Sequence, residues 1–191
     1  MNRVVVIGVG NVLTGDDALG PTVVSTLDAE WVMEDAVELI DGGTPGMDLA
    51  TMIHDADGLI VVDTARTDGA PGTLKCWDRD ALLSRQLTPR TNPHAPGLLE
   101  TLWTMQLAEA GPSEVELVGI VPQATEIGVG MCDDVRAAVP AAVDACIRVL
   151  TLWGFPPQRR DPPRTPNLWW EVAVTPPGRH AEGLPTRARS R

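Results

Sequence analysis

Short runs of Val, Ile and Leu alternate along the chain with stretches in which apolar residues recur every three or four positions. Runs at 4–9, 37–41, 59–63, 73–77 and 115–121 are predicted as strands. Leu19, Val23, Leu27 and Trp31 stand at i, i+4 spacing and predict a helix after the first strand. Pro21 is compatible only with the first turn of that helix, so its start falls near Asp17. A short helix at 46–54 and a longer one at 96–109 follow. A last helix, 134–153, carries Val135, Val139, Ala142, Val143, Cys146, Ile147, Leu150 and Trp153 on one side. Pro140 either kinks it or marks its first turn.

The β-α-β-α-β order predicts a three-layer α/β sandwich. Its sheet has five strands, is twisted and mainly parallel, and carries helices on both faces. Between the third and fourth strands lie only a few residues, too few for a parallel crossover, so the fourth strand is predicted antiparallel and at an edge. Residues 1–154 are read as one domain. Residues 155–191 differ in composition: eight of the 17 prolines lie there, in pairs at 156–157, 162–163 and 176–177. That segment is expected to be a poorly ordered Pro/Arg-rich extension with no core of its own. Trp169, Trp170, Val172 and Val174 are the side chains able to dock part of it onto the body. No internal repeat is visible.

Composition narrows the function classes. A chain of 191 residues suits one domain with a sizeable core. No apolar run approaches the roughly 18 residues that span a bilayer, and the N-terminus has no signal-peptide pattern. Cys76, Cys132 and Cys146 are odd in number, widely spaced and without a CxxC pair, which favours a cytoplasmic protein with reduced thiols. The extension holds seven Arg and three acids (+4), against eight basic and 23 acidic groups in the remainder (−15). An acidic body argues against nucleic acid as partner and suits a cation or a basic protein surface.

In a parallel α/β sheet, ligands sit at the carboxyl ends of the strands. Strand one ends in a loop with Gly8, Gly10 and Gly15, followed by Asp16 and Asp17. A glycine loop before a helix ordinarily cradles phosphate, but two carboxylates would repel it and attract a cation. Strand two ends in Asp41-Gly42-Gly43-Thr44, strand three in Asp63, and the loop Asn92-Pro93-His94-Ala95-Pro96-Gly97 leads into a helix. Three carboxylate positions and an imidazole are thus predicted on one rim, a ligand set for zinc, nickel or iron. Bland roles compete with this. Asp16 or Asp17 can cap the helix, Asp41 can build a turn, and Asp133 and Asp134 look like an N-cap pair. His54 and His180 read as structural or solvated, and Cys76 as a small hydrophobe. Asp63 is harder to dismiss, because an Asp seldom ends a buried strand for packing reasons. No GxSxG elbow and no HExxH pair is present.

The segments GVGNVLTGDDALG, DGGTPGMDL, LIVVDTARTDGAPGT, NPHAPGL and LVGIVPQ occur in this order over residues 3–153. Together they resemble the nickel–iron hydrogenase maturation endopeptidases. The resemblance implies a protease that removes a C-terminal extension from the hydrogenase large-subunit precursor once nickel is in place. It implies metal contact through Asp17, where many members carry Glu, through Asp63 and through His94, with Asp41 a further participant by position. Nickel would then arrive with the precursor, and the enzyme would act as a cytoplasmic monomer. Two other classes remain open. A nickel-dependent chaperone would hold the same precursor without cutting it. A dinucleotide-dependent oxidoreductase would use Gly8-x-Gly10 and Asp41, although Leu13 replaces the third glycine of that fingerprint.

Overall fold

The computed structural model describes residues 1–84 and 97–172. β1 (Val4–Val9) leads through a 3-10 turn, Gly15–Ala18, into α1 (Leu19–Glu30). β2 (Trp31–Val32) and β3 (Val37–Gly43) come next, then a second 3-10 turn, Gly46–Asp48, and α2 (Leu49–Met52). β4 (Gly58–Thr64), β5 (Leu74–Asp78) and α3 (Arg79–Leu83) precede the undescribed stretch. α4 (Leu98–Leu107), β6 (Glu114–Ile120), α5 (Asp133–Leu152), β7 (Gln158–Arg159) and α6 (Trp169–Val172) are the remaining elements among the described residues.

The main sheet has the order β3-β1-β4-β6-β5. Its first four strands are mutually parallel, and β5 runs antiparallel to β6 at the edge, as the short connection before it requires. Successive strand residues face opposite sides, and the chain uses both. Val4, Val6, Ile60, Val62 and Val118 pack with Leu19, Val23 and Leu27 of α1 and Val135, Ala142 and Val143 of α5. Val5, Ile7, Leu59, Val61 and Val115 pack with Leu49, Ile53, Leu82, Leu102 and Met105 on the other face. The fold is the mainly parallel three-layer sandwich that the alternating pattern predicts.

α1 lies unusually close to the strand it leaves. A Cβ on Gly20 would stand 2.3 Å from Val9 O, and one on Gly8 would stand 2.2 Å from Gly20 O. Two glycines therefore face each other where helix and strand meet. Pro140 lies inside α5, which begins seven residues earlier at Asp133, so it does not mark a first turn. Asp133 and Asp134 occupy the first turn of α5 rather than cap it; the N-cap residue is Cys132, without a side-chain cap bond. Two acids there still complement the helix dipole.

Within the segment expected to be a poorly ordered extension with no core of its own, residues 155–172 pack on the body. β7 pairs antiparallel with β2. The reason lies at the C-terminus of α1, where the last four carbonyls of a helix have no partner within it. Leu27 O accepts from Trp31 N. Asp28 O accepts from Arg160 Nη2 at 3.3 Å, Ala29 O from Arg164 N at 2.8 Å, and Glu30 O from Arg160 N at 2.7 Å. The Arg159 guanidinium stands 5.5 Å from the centre of the Trp31 ring, and Trp170 is buried. Composition shows that this segment lacks a core, but not that a helix end elsewhere offers it partners. Residues 173–191 lie outside the described residues.

In an exposed helix Gly→Ala stabilises, by up to about 1 kcal/mol. Gly20→Ala is expected to do the opposite, lowering stability by about 1–3 kcal/mol through overpacking. Arg160→Ala is expected to lower it by about 1 kcal/mol, and deletion of residues 155–191 by more. Urea unfolding followed by circular dichroism checks all three.

Candidate functional site

The strand order sets the position of the site. From β1 the chain crosses to β3 on one side, then to β4 on the other. Helix α1 covers one face and α2, α3 and α4 the opposite one. Where neighbouring strands send their connections to opposite faces, a crevice opens at their carboxyl ends. The loop after β1 and the end of β4 both meet there.

The first loop is drawn tight. Gly10 has φ +145, and a Cβ there would lie 1.9 Å from Asp17 O. Asp16 and Asp17 are adjacent, yet their carboxylates go to different partners. Asp16 is 1% exposed. Its Oδ2 accepts from Gln123 N at 2.7 Å and Ala124 N at 2.9 Å, and its Oδ1 from Cys132 N at 2.7 Å. Burial by itself would push this carboxyl up, but the N–H groups of Ala124, Cys132 and Gln123 outweigh it. They hold Asp16 below its ordinary 3.8. Neither acid caps α1: the N-cap residue is Ala18, with no side-chain bond.

Asp17 is the exposed-side partner. Its Oδ2 accepts from Asn11 N at 2.8 Å, with Thr14 Oγ1 at 3.4 Å. Its Oδ1 accepts from Thr64 Oγ1 at 3.1 Å. Asp63 Oδ1 accepts from Thr64 N at 2.6 Å. The last two residues of β4 thus serve the site from both sides of the strand, one with a carboxylate and the next with a hydroxyl that fixes Asp17. Asp17 and Asp63 line one crevice. Its apolar wall comes from Val9, Val61, Leu49 and Leu98, and Pro45, Gly46 and Gly97 border it.

Not every candidate converges. Asp41 pairs with Gly8 in the register that sets Leu39 beside Val6, so it shares the α1 side of the sheet. Its Oδ1 accepts from Gly43 N at 3.1 Å, a local turn bond, and it lines a separate hollow with Asp28 and Trp170. His94 and His180 lie outside the described residues. His54 pairs with Asp55 at 2.8 Å on the surface. Among the described residues, no three His, Cys, Asp or Glu side chains are grouped to hold a metal ion. Asn11 and Thr64 have no spacing signal in the sequence; only the fold reveals them as supports of Asp17. All three cysteines are free. Their thiols are pushed up, first by burial, that of Cys146 to about 12, the opposite of the shift that activates a cysteine nucleophile. What the crevice offers is a pair of carboxylates beside an apolar wall, suited to contact a cation and a peptide segment and to take a proton from water.

Comparison with known proteins gives a consistent picture. The profile of a family described as hydrogenase maturation protease matches residues 21–149. The hydrogenase 2 maturation protease of Escherichia coli is 33% identical over 149 residues, covering 78% of this chain and 90% of the relative. The hydrogenase expression/formation protein HoxM of Cupriavidus necator is 33% identical over 175 residues, covering 91% of this chain and 85% of the relative. The structure of the hydrogenase maturating endopeptidase HybD from E. coli superposes with a TM-score of 0.75 at 30% identity, over 84% of this chain and 99% of that one.

The two acids are expected to separate by experiment. Asp16→Ala leaves three N–H donors without their acceptor and should cost about 2–3 kcal/mol, whereas Asp17→Asn should keep a near-wild-type melting temperature. Because the folded carboxyl of Asp16 is lowered, its contribution is present above about pH 4 and is lost as pH falls through the folded value. The stability gap between wild type and Asp16→Asn should therefore narrow below pH 4. Thermal melts from pH 7 to pH 3 measure it.

Proposed function

From the premise that this chain belongs to the hydrogenase maturation protease family, and is a peptidase of that family, we propose that it removes the C-terminal extension of a nickel–iron hydrogenase large-subunit precursor after nickel insertion. The observation that carries this reading is the meeting of Asp17 and Asp63 in one crevice at the switch point of the sheet. Nickel belongs here to the substrate. Asp17, Asp63 and His94 complete the coordination of the precursor-bound metal and so bring the scissile bond into the crevice. The Thr64 hydroxyl and the Asn11 N–H hold the Asp17 carboxylate in one orientation, sparing the ordering cost when substrate arrives. One carboxylate of the pair takes the proton of the attacking water while the carbonyl is polarised, as in metal-assisted hydrolysis. The peptide lies along the wall of Val9, Val61, Leu49 and Leu98.

The free state of all three thiols supports action in the cytoplasm, and we take the working form to be a monomer that meets its client transiently. No described helix is long and apolar enough to cross a membrane.

The test is the intact mass of a large-subunit precursor from the same organism after incubation with this protein, in nickel-loaded and nickel-free form. Loss of a C-terminal peptide from the loaded form alone is the expected result. Binding without cleavage of either form would favour the non-cutting chaperone. Asp63→Ala and His94→Ala should each lower cleavage of the loaded precursor at least about 100-fold; cleavage retained by His94→Ala overturns its assignment.

A further inference from the structure

Beside the crevice, two loops present apolar side chains to solvent on a backbone that is held in place. Leu13 is 54% exposed and Ile127 95%. Neither sits on a loose end. Thr14 and Gly128 form a parallel bridge, Gly128 N donates to Leu13 O at 2.9 Å, and Gly15 N donates to Gly128 O at 2.7 Å. One step back along both segments stand Leu13 and Ile127, so in a parallel pair the two side chains leave on the same side. That side is the outer one, because the Thr14 hydroxyl turns inward to Asn11 O and Asp17 Oδ2.

Both loops are clamped to the site. The Asp16 carboxylate takes N–H groups at each end of the 123–132 loop, from Gln123, Ala124 and Cys132. On the far side Arg66 Nη2 donates to Thr125 Oγ1. The apolar pair is therefore fixed relative to Asp17, and a partner that binds it meets a surface already ordered.

We infer that Leu13 and Ile127 form a docking ridge for the folded body of the precursor, seating the client so that its C-terminal segment enters the crevice. The inference rests on the proposed function. Leu13 adjoins Thr14, whose hydroxyl stands 3.4 Å from Oδ2 of Asp17 in the crevice, which makes the ridge contiguous with the site a client must enter. Glu126 precedes Ile127 directly and the one cation bonded to this loop among the described residues, Arg66, is engaged by Thr125, while the chain as a whole carries 26 acids against 15 basic residues. The matching client surface is an apolar patch ringed by Lys and Arg. Client choice is set on this ridge, while the carboxylates serve any loaded precursor.

The test compares wild type with Leu13→Asp/Ile127→Asp and Leu13→Ser/Ile127→Ser on the nickel-loaded precursor, following intact mass against time at varied precursor concentration. Each double variant is expected to lower kcat/KM at least about tenfold. The loss should fall in KM, with kcat at saturation and the melting temperature unchanged, and Leu13→Met/Ile127→Leu should restore it. The serine pair separates lost apolar contact from added charge. Variants with kcat/KM within about twofold of wild type, or with the loss confined to kcat, overturn the ridge. A wild type that self-associates in ultracentrifugation while the double variants are monomeric and cleave normally assigns the surface to a second copy and overturns it likewise. Wild-type protein that cuts no loaded precursor overturns the proposed function, and the ridge with it; wild type that cuts while the variants match it overturns the ridge alone.

Discussion

The buried carboxylate of Asp16 is the constraint on which the working end of this molecule depends. A charge removed from water is costly unless nearly every lone pair finds a donor. Here three backbone N–H groups supply them, two on one side of a long loop and one where that loop enters α5. The requirement runs in both directions. The carboxylate needs the loop to remain charged, and the loop is held in its path because three of its N–H groups are turned inward to the carboxylate. Loop 123–132 and the loop after β1 are in effect one unit, which places Asp17 where the Asn11 N–H and the Thr64 hydroxyl orient its carboxylate.

Around that unit the sheet supplies position and the glycines supply closeness. The site falls between β1 and β4 because the chain order reverses there, a consequence of topology rather than of any local motif. The contact between Gly8 and Gly20 lets α1 lie against β1 without intervening side chains. The first loop is short as a result, and its two acids are delivered to the strand ends instead of drifting into solvent. Thr64 uses the two-residue period of β4 to turn its hydroxyl to Asp17 while Asp63 presents a carboxylate to the crevice.

The C-terminal segment follows a different logic. It has no core of its own, and it gains order by completing a structure that already exists. The C-terminus of α1 leaves carbonyls unpaired, and Arg160 and Arg164 fill three of them with two backbone N–H groups and one guanidinium. Cationic side chains at a helix C-terminus also meet its negative dipole end. An arginine- and proline-rich composition, usually a mark of disorder, is thus also suited to a strap.

Residues 1–154 carried their fold class openly. Strands and helices were legible because their periods of two and near four are dictated by which face is buried, and the antiparallel edge strand was legible because a short connection permits no crossover. The candidate acids were legible because carboxylates at strand ends have few packing reasons to be there. Tertiary structure alone decided how they divide. Asp16 and Asp17 are indistinguishable as neighbours in sequence, yet one is a buried clasp to residues more than a hundred positions away and the other lines the crevice. Asp41 and Asp63 both end apolar strands, yet strand register puts Asp41 on the α1 side of the sheet and Asp63 on the other. The support of Asp17 by Thr64 and Asn11, the bonds of Arg160 and Arg164 to the end of α1, and the bridge that sets Leu13 beside Ile127 have no signal in the sequence. Each depends on a hydrogen bond or a pairing between segments distant in sequence, and local periodicity holds no information about which segments meet.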